Sequence, residues 1–175
     1  IGAAKSIGNS AVHVEGENGE SVLLDCGCRV NAQEKPVMPN ASNVIITHSH
    51  MDHCSFLPNY VKQANPVVYA AHPVIPLMRL LFEDTIKIAE RENLKPAFSK
   101  HDIANAMAKC HAIGYNKSIQ LSKTMDFELF DAGHIPGSAQ ALVREKTSGK
   151  NVLYTGDLNG VETRMHLPAV MPREK

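Results

Sequence analysis

The chain has 175 residues, 43% of them hydrophobic, with 18 basic and 18 acidic side chains and a pI near 7.3. That is enough chain for one good core, and its balanced charge gives no electrostatic case for nucleic acid or a membrane surface. No apolar run approaches the roughly 18 residues of a membrane span, and the start shows no targeting pattern of a charged segment followed by an apolar one.

Ile7-Gly8-Asn9-Ser10 reads as a turn leading into a strand through Val14, and Ser21 to Asp25 as its returning partner across the polar residues 15–20. Asp25 ends that strand, as a turn carboxylate or as an acceptor that orients a metal-ligating histidine. Pro36 and Pro39 make 29–42 a loop. Asn43 to Thr47 is a β-branched run that predicts a buried strand, and Ser55 to Ala64 a short helix with Pro58 in its first turn. Residues 66–70 predict another strand, 74–92 a long amphipathic helix, and Ser99 the cap of a helix through Lys109. From Ser118 the period changes to two: strands around Ile119–Leu121 and Phe127–Phe130, then a hairpin pairing 139–144 with 151–155. Sheets covered by helices follow, an α/β or α+β sandwich. There is no internal repeat or low-complexity tract, and the tail from Leu167 reads as the start of something that continues.

The chemistry concentrates in Thr47-His48-Ser49-His50-Met51-Asp52-His53-Cys54, directly behind a strand. Residues two apart in an extended segment point the same way, so His48, His50 and Asp52 share a side, with His53 turned aside by the next element. Left unpaired in a packed interior, such groups would cost several kcal/mol; bound to a metal they are satisfied. Two later motifs add donors at strand ends: His134 in Asp131-Ala132-Gly133-His134-Ile135-Pro136-Gly137-Ser138, and Asp157 in Tyr154-Thr155-Gly156-Asp157. Cys26, Cys28, Cys54 and Cys110 form an even set. With nothing pointing to secretion, they read as buried thiols of a reducing compartment: the cytoplasm, or the nucleus of a eukaryote. Cys26-x-Cys28 lacks the zinc-ribbon spacer and reads as core.

His-x-His-x-Asp-His over 48–53, with a later histidine and then aspartate, resembles the metallo-β-lactamase superfamily. The Ala132-to-Ser138 and Tyr154-to-Asp157 phrasing is similar to the β-CASP nucleases, within them to the mRNA 3′-end cleavage (cleavage and polyadenylation specificity factor) type and its prokaryotic relatives. The likeness runs over nearly the whole chain, including Ile7–Ser10, His72-Pro73 and Arg164. It implies an αββα sandwich, present as its N-terminal portion, and a metal-dependent hydrolase acting on the phosphodiester bonds of single-stranded RNA. It further implies one zinc held by His48, His50 and His134, and a second held by Asp52 and His53. Asp157 would bridge them, and Asp25 would act as a supporting acid, with Asp25, Asp52 and Asp157 in the catalytic machinery.

The family also carries an inserted β-CASP domain and a return segment with a further ligand histidine, whereas this sequence runs from Asp157 only to Lys175. His166 does not match that distal ligand and reads as surface. The expectation is therefore the N-terminal part of a larger nuclease. It would bind its first metal more firmly than its second, be weak or inactive alone, and have the rest of the nuclease as partner. An unfinished sheet edge would favour a homo-oligomer. Two other readings are a small-molecule metallo-hydrolase of glyoxalase II or lactonase type, and a non-catalytic scaffold subunit.

Overall fold

Strands form where aliphatic and β-branched residues run together. The computed structural model describes residues 9–28 and 37–172; the Ile7-Gly8 turn, most of the 29–42 loop and the last three residues lie outside them. β1 (Val12–Glu15) and β2 (Ser21–Leu24) form an antiparallel hairpin. β2 pairs in parallel with β3 (Asn43–Ile46), β3 with β4 (Val67–Ala71), and β4 with β5 (Cys110–Ile113), making a five-stranded sheet in the order β1-β2-β3-β4-β5. Val44, Ile45 and Ile46 are fully buried, as strands covered on both faces require.

The parallel crossovers carry the helices: α1 (Met51–Cys54), α2 (Leu57–Ala64), α3 (Val74–Arg91) and α4 (Lys100–Ala108). Pro58 sits in the first turn of α2, where a missing N–H leaves no bond unmade, and Asn65 ends that helix in a left-handed conformation. α4 opens on a reciprocal capping box: Ser99 Oγ accepts from the Asp102 N–H and the Asp102 carboxylate accepts from the Ser99 N–H. α3 buries Val74, Met78, Phe82 and Ile86, with Phe82 edge-on to Phe98 at 5.5 Å between ring centroids. β5 has no counterpart in the sequence expectation. Cys110-His111-Ala112-Ile113 is short and half-exposed, with little β-branched character; it is a strand because it pairs with the free edge of β4.

β6 (Ser118–Gln120), β7 (Met125–Asp131), β8 (Ala139–Glu145) and β9 (Lys150–Tyr154) form a second, wholly antiparallel sheet in that order. Its inner residues Met125, Phe127, Leu129, Ala141 and Val143 share one core with Leu23, Leu24, Val44 and Ile46, and Phe127 meets Tyr69 of β4 at 5.2 Å. These are the two sheets of the expected sandwich. Among the described residues all four helices precede β5, and the segment 158–172 that follows the second sheet is irregular and packs against the end of β7 and the start of β8. There the Val170 N–H donates to Asp131 O at 2.9 Å and Gln140 Nε2 donates to Val170 O at 2.9 Å.

The sheets meet at one edge, where the Ala139 N–H donates to Thr47 O at 2.8 Å. Gly27 sets how closely β2's exit packs there, because a Cβ on it would fall 1.7 Å from Asp52 O and 2.4 Å from Asp52 C. That obstacle is backbone and cannot swing away. Gly27→Ala is expected to destabilise the chain by more than about 4 kcal/mol in denaturant unfolding. Phe82→Ala is expected to cost about 3–5 kcal/mol, whereas Leu80→Ala, at an exposed position of the same helix, should stay within about 0.5 kcal/mol.

Candidate metal centre

β3 stops at Ile46 and the chain stays extended through Thr47-His48-Ser49-His50, so His48 and His50 emerge on one side. His50 is the N-cap of α1, with φ −61° and ψ 141°, and Asp52 and His53 belong to the first helical turn. The extended reading of the string through Asp52, with His53 turned aside, is corrected here. Because the helix begins at Met51, His53 swings back toward the cluster: its ring lies 4.1 Å from that of His48 and its Nε2 faces Asp157.

His134 arrives from the β7–β8 loop, where Ser138 Oγ accepts from the N–H groups of His134 and Ile135 at 3.0 and 3.2 Å. Asp157 follows β9. The structure brings one ligand atom each of His48, His50, His134 and Asp157 within 4.8 Å of one another. Individual separations are His48 Nε2 to His50 Nδ1 3.1 Å, His134 Nε2 to His50 Nδ1 3.3 Å, His134 Nε2 to Asp157 Oδ2 3.5 Å, and His48 Nε2 to Asp157 Oδ2 3.8 Å. Four ligands about 2.0–2.1 Å from a tetrahedral zinc lie roughly 3.3 Å apart. The donor set fits such an ion.

A second group adjoins it. His53 Nε2 lies 3.3 Å from Asp157 Oδ1 and 3.8 Å from Asp52 Oδ2. The two oxygens of Asp157 thus point to different neighbours, Oδ2 to His48 and His134, Oδ1 to His53. The floor is dry and the rim wet: the side chains of His48 and His53 are 0% and 4% exposed, those of Asp52 and Asp157 43% and 46%.

Beneath the floor lies Asp25, fully buried and held at φ 60°, a left-handed conformation that favours Asn and Asp among non-glycine residues. It accepts from the Thr47 N–H at 2.7 Å, from Thr47 Oγ1 at 2.8 Å, from His53 Nδ1 at 2.6 Å and from Tyr154 OH at 3.0 Å. These bonds fix protons. With His53 Nδ1 donating to Asp25, the neutral ring carries its lone pair on Nε2. With the Thr47 hydroxyl donating to Asp25, Thr47 Oγ1 accepts from His48 Nδ1 at 3.1 Å, and His48 Nε2 likewise carries a lone pair. Burial, then the imidazoles of His53, His50 and His134, push His48 down to about 2, and burial lowers His134 against the opposing charge of Asp157. Burial also disfavours charge on His53, but the Asp25 hydrogen bond and the charges of Asp25, Asp157 and Asp52 outweigh it and raise its pKa.

Thr47, Tyr154 and Ser10, whose Oγ lies 3.3 Å from His53 Nε2, have no assigned role in the sequence reading. Tyr154 lies in the motif that holds Asp157, but a partner 129 positions away is not visible in a linear string. His166 is half-buried and outside the donor group, its N–H bound to Thr163 Oγ1. All four cysteines are free, Cys26 and Cys54 are buried, and none belongs to the donor group. A groove of 820 Å³ lined by Lys62, Ile86, Glu90, Phe98 and Asp102 contains no residue of the cluster. No helix among the described residues is long and apolar enough to cross a membrane.

Residues 6–172 match the family model described as the metallo-beta-lactamase superfamily. The chain is 36% identical to an "RNase J-like protein" of Methanocaldococcus jannaschii over 96% of its own length and 38% of that protein's. It is 31% identical both to "Transcription termination factor FttA" of the same organism and to "Cleavage and polyadenylation specificity factor subunit 3-II" of Arabidopsis thaliana. In each case 97% of this chain is covered, with 28% and 30% of the relative. The chain therefore spans well under half the length of these relatives. A solved protein of unknown function from Enterococcus faecalis V583 shares the fold, with a TM-score of 0.63 at 16% identity over 88% of this chain and 41% of that one. With the two-sheet sandwich and a matching model over nearly its full length, the chain belongs to the metallo-β-lactamase superfamily.

Proposed function

We propose that this chain is the metal-binding portion of a β-CASP-type nuclease that hydrolyses phosphodiester bonds of single-stranded RNA with two zinc ions. In this reading His48, His50 and His134 hold the first ion, Asp52 and His53 the second, and Asp157 bridges them. The observation that carries it is the divided Asp157 carboxylate, one oxygen turned to each donor group. The names of the relatives, an RNase J-like protein and a cleavage and polyadenylation specificity factor subunit, support RNA as the substrate class. Their greater length supports a partner for this portion in the remainder of the nuclease, including the β-CASP domain. Four free cysteines support a reducing compartment, the cytoplasm or a eukaryotic nucleus.

When bound, zinc supplies Lewis-acid polarisation of a phosphoryl oxygen and lowers the pKa of water, and a pair of ions can clamp both oxygens of an in-line displacement. The chain's own residues supply direction. Asp25 holds His53 through Nδ1 and, by way of Thr47, His48, so that both Nε2 lone pairs face the site. Asp52, at the wet rim beside His53, is placed to orient the attacking water. The buried hydrogen bonds beneath the site keep these dipoles from relaxing away from the reacting phosphate.

The first donor group offers four atoms and the second three, so zinc titration against a chromophoric chelator is expected to show a tight step followed by a weaker one; two equal steps would count against the assignment. Full-length protein stripped of zinc should lose cleavage of labelled single-stranded RNA and regain it on zinc addition. Asp157→Ala should lower the rate by roughly 10² or more, the scale of losing a preorganised electrostatic group. Cleavage of a thioester or of nitrocefin with no action on RNA would overturn the nuclease reading. Asp25→Asn keeps the shape but turns an amide donor toward a histidine donor, and is expected to weaken zinc binding roughly 10- to 100-fold.

A further inference from the structure

We propose that Asn159 is a positioning residue that fixes the distance between His134 and Asp157, an inference that rests on the metal-centre reading above. The two donors leave different strands, His134 after β7 and Asp157 after β9, and β8 lies between those strands in the sheet. Their loops therefore share no ladder bond. Something else must hold His134 Nε2 and Asp157 Oδ2 at 3.5 Å.

Asn159, two residues past Asp157, makes that connection. Its backbone N–H donates to Ala132 O at 2.9 Å and its Nδ2 donates to Gly133 O at 3.0 Å, so it holds the two carbonyls that immediately precede His134. Its remaining groups anchor it to its own segment. Nδ2 also donates to Val161 O at 2.8 Å, Oδ1 accepts from the Val161 N–H at 3.2 Å, and its carbonyl accepts from the Ala169 N–H at 2.8 Å. Both Nδ2 hydrogens are used and Oδ1 accepts a bond, so the rotamer is determined at both ends.

The fit is close on the other side as well. Gly133 has φ +67°, and a Cβ there would lie 2.7 Å from Asn159 O, 2.7 Å from Ala169 N and 2.8 Å from Leu167 O. The His134 loop thus rests flush on the backbone of the segment that Asn159 organises, and the Gly133 N–H is turned to Asp131 Oδ1 at 2.8 Å. Ligand constellations work within about 0.5 Å of their productive geometry. Loosening this joint lets His134 drift from Asp157 while leaving both donors chemically intact.

The test compares Asn159→Ala with Thr163→Ala in the purified chain. Thr163 caps a turn of the same segment, its Oγ1 accepting from the Met165 and His166 N–H groups, and its hydrogen bonds among the described residues stay within 163–166. The readouts are metal-free melting temperature, zinc affinity by chelator competition, and the visible spectrum of the cobalt(II)-substituted protein. Asn159→Ala is expected to weaken zinc binding roughly 10- to 100-fold, the scale of losing a group that orients a ligand, and to reduce the intense tetrahedral cobalt bands. Thr163→Ala should lower the melting temperature and leave affinity and spectrum as in the parent. If Asn159→Ala does not fold, Asn159→Ser keeps the backbone donor, removes the reach to Gly133 O, and carries the same expectation. Parent-like zinc affinity and cobalt bands in the Asn159 variant, whatever its melting temperature, overturn the proposal and leave the metal centre standing. A parent chain that binds neither zinc nor cobalt overturns both.

Discussion

The structure depends on one buried carboxylate. Asp25 ends β2 in a left-handed conformation and collects Thr47 from the end of β3, His53 from α1 and Tyr154 from β9. An ionised group taken out of water is tolerable only when its lone pairs are met, and here strand, helix and the second sheet all meet it. The same bonds orient the imidazoles above. Removing any donor therefore disturbs packing and site chemistry together, which is why the two cannot be separated at this position. The close approach of Gly27 to Asp52 O belongs to the same arrangement: it lets the chain leaving Asp25 pass directly under α1.

What can be read from the sequence is what is local. His48, His50, Asp52 and His53 crowd six positions behind an apolar strand, and crowding alone marks them. The capped helix at Ser99 and the strands of period two are likewise written in consecutive residues, and the element boundaries fall within a few positions of them. The rest is written in pairs. Thr47, Tyr154 and Asn159 are ordinary residues whose importance comes from partners 22, 129 and 26 positions away. β5 is a strand because β4 has an open edge, which no window over 110–113 contains. The direction of His53 turned on where a four-residue helix starts, a boundary of the kind that propensity sets least well.

Charge was the least informative feature of the sequence, and the structure gives the reason. Arg144 is held by Asp126 and Glu128, and Lys146 by Asp126, so two of the basic side chains that enter the count are already neutralised on the second sheet. A polyanionic substrate would find little free positive potential on that network. At the candidate centre the balance runs the other way: Asp25, Asp52 and Asp157 converge there, and burial together with neighbouring imidazoles keeps His48 uncharged. Such a site is hostile to a phosphate until cations enter it, so metal loading and the binding of phosphate are necessarily coupled in the proposed chemistry.

That coupling extends to the fold. His48 and His50 leave the five-stranded sheet, His134 and Asp157 the four-stranded one, and direct ties at this edge include Ala139 N to Thr47 O and Tyr154 OH to Asp25. Three imidazole nitrogens from His48, His50 and His134 and a carboxylate oxygen of Asp157 crowd within 4.8 Å of one another there. A bound cation would make these ligands a cross-link between the layers. Ligation energy then becomes folding energy wherever the unfolded chain cannot assemble the site. The segment organised by Asn159 matters for the same reason. It holds the four-stranded sheet's two donors as one unit, so that the cross-link closes between two rigid halves rather than among four independent loops.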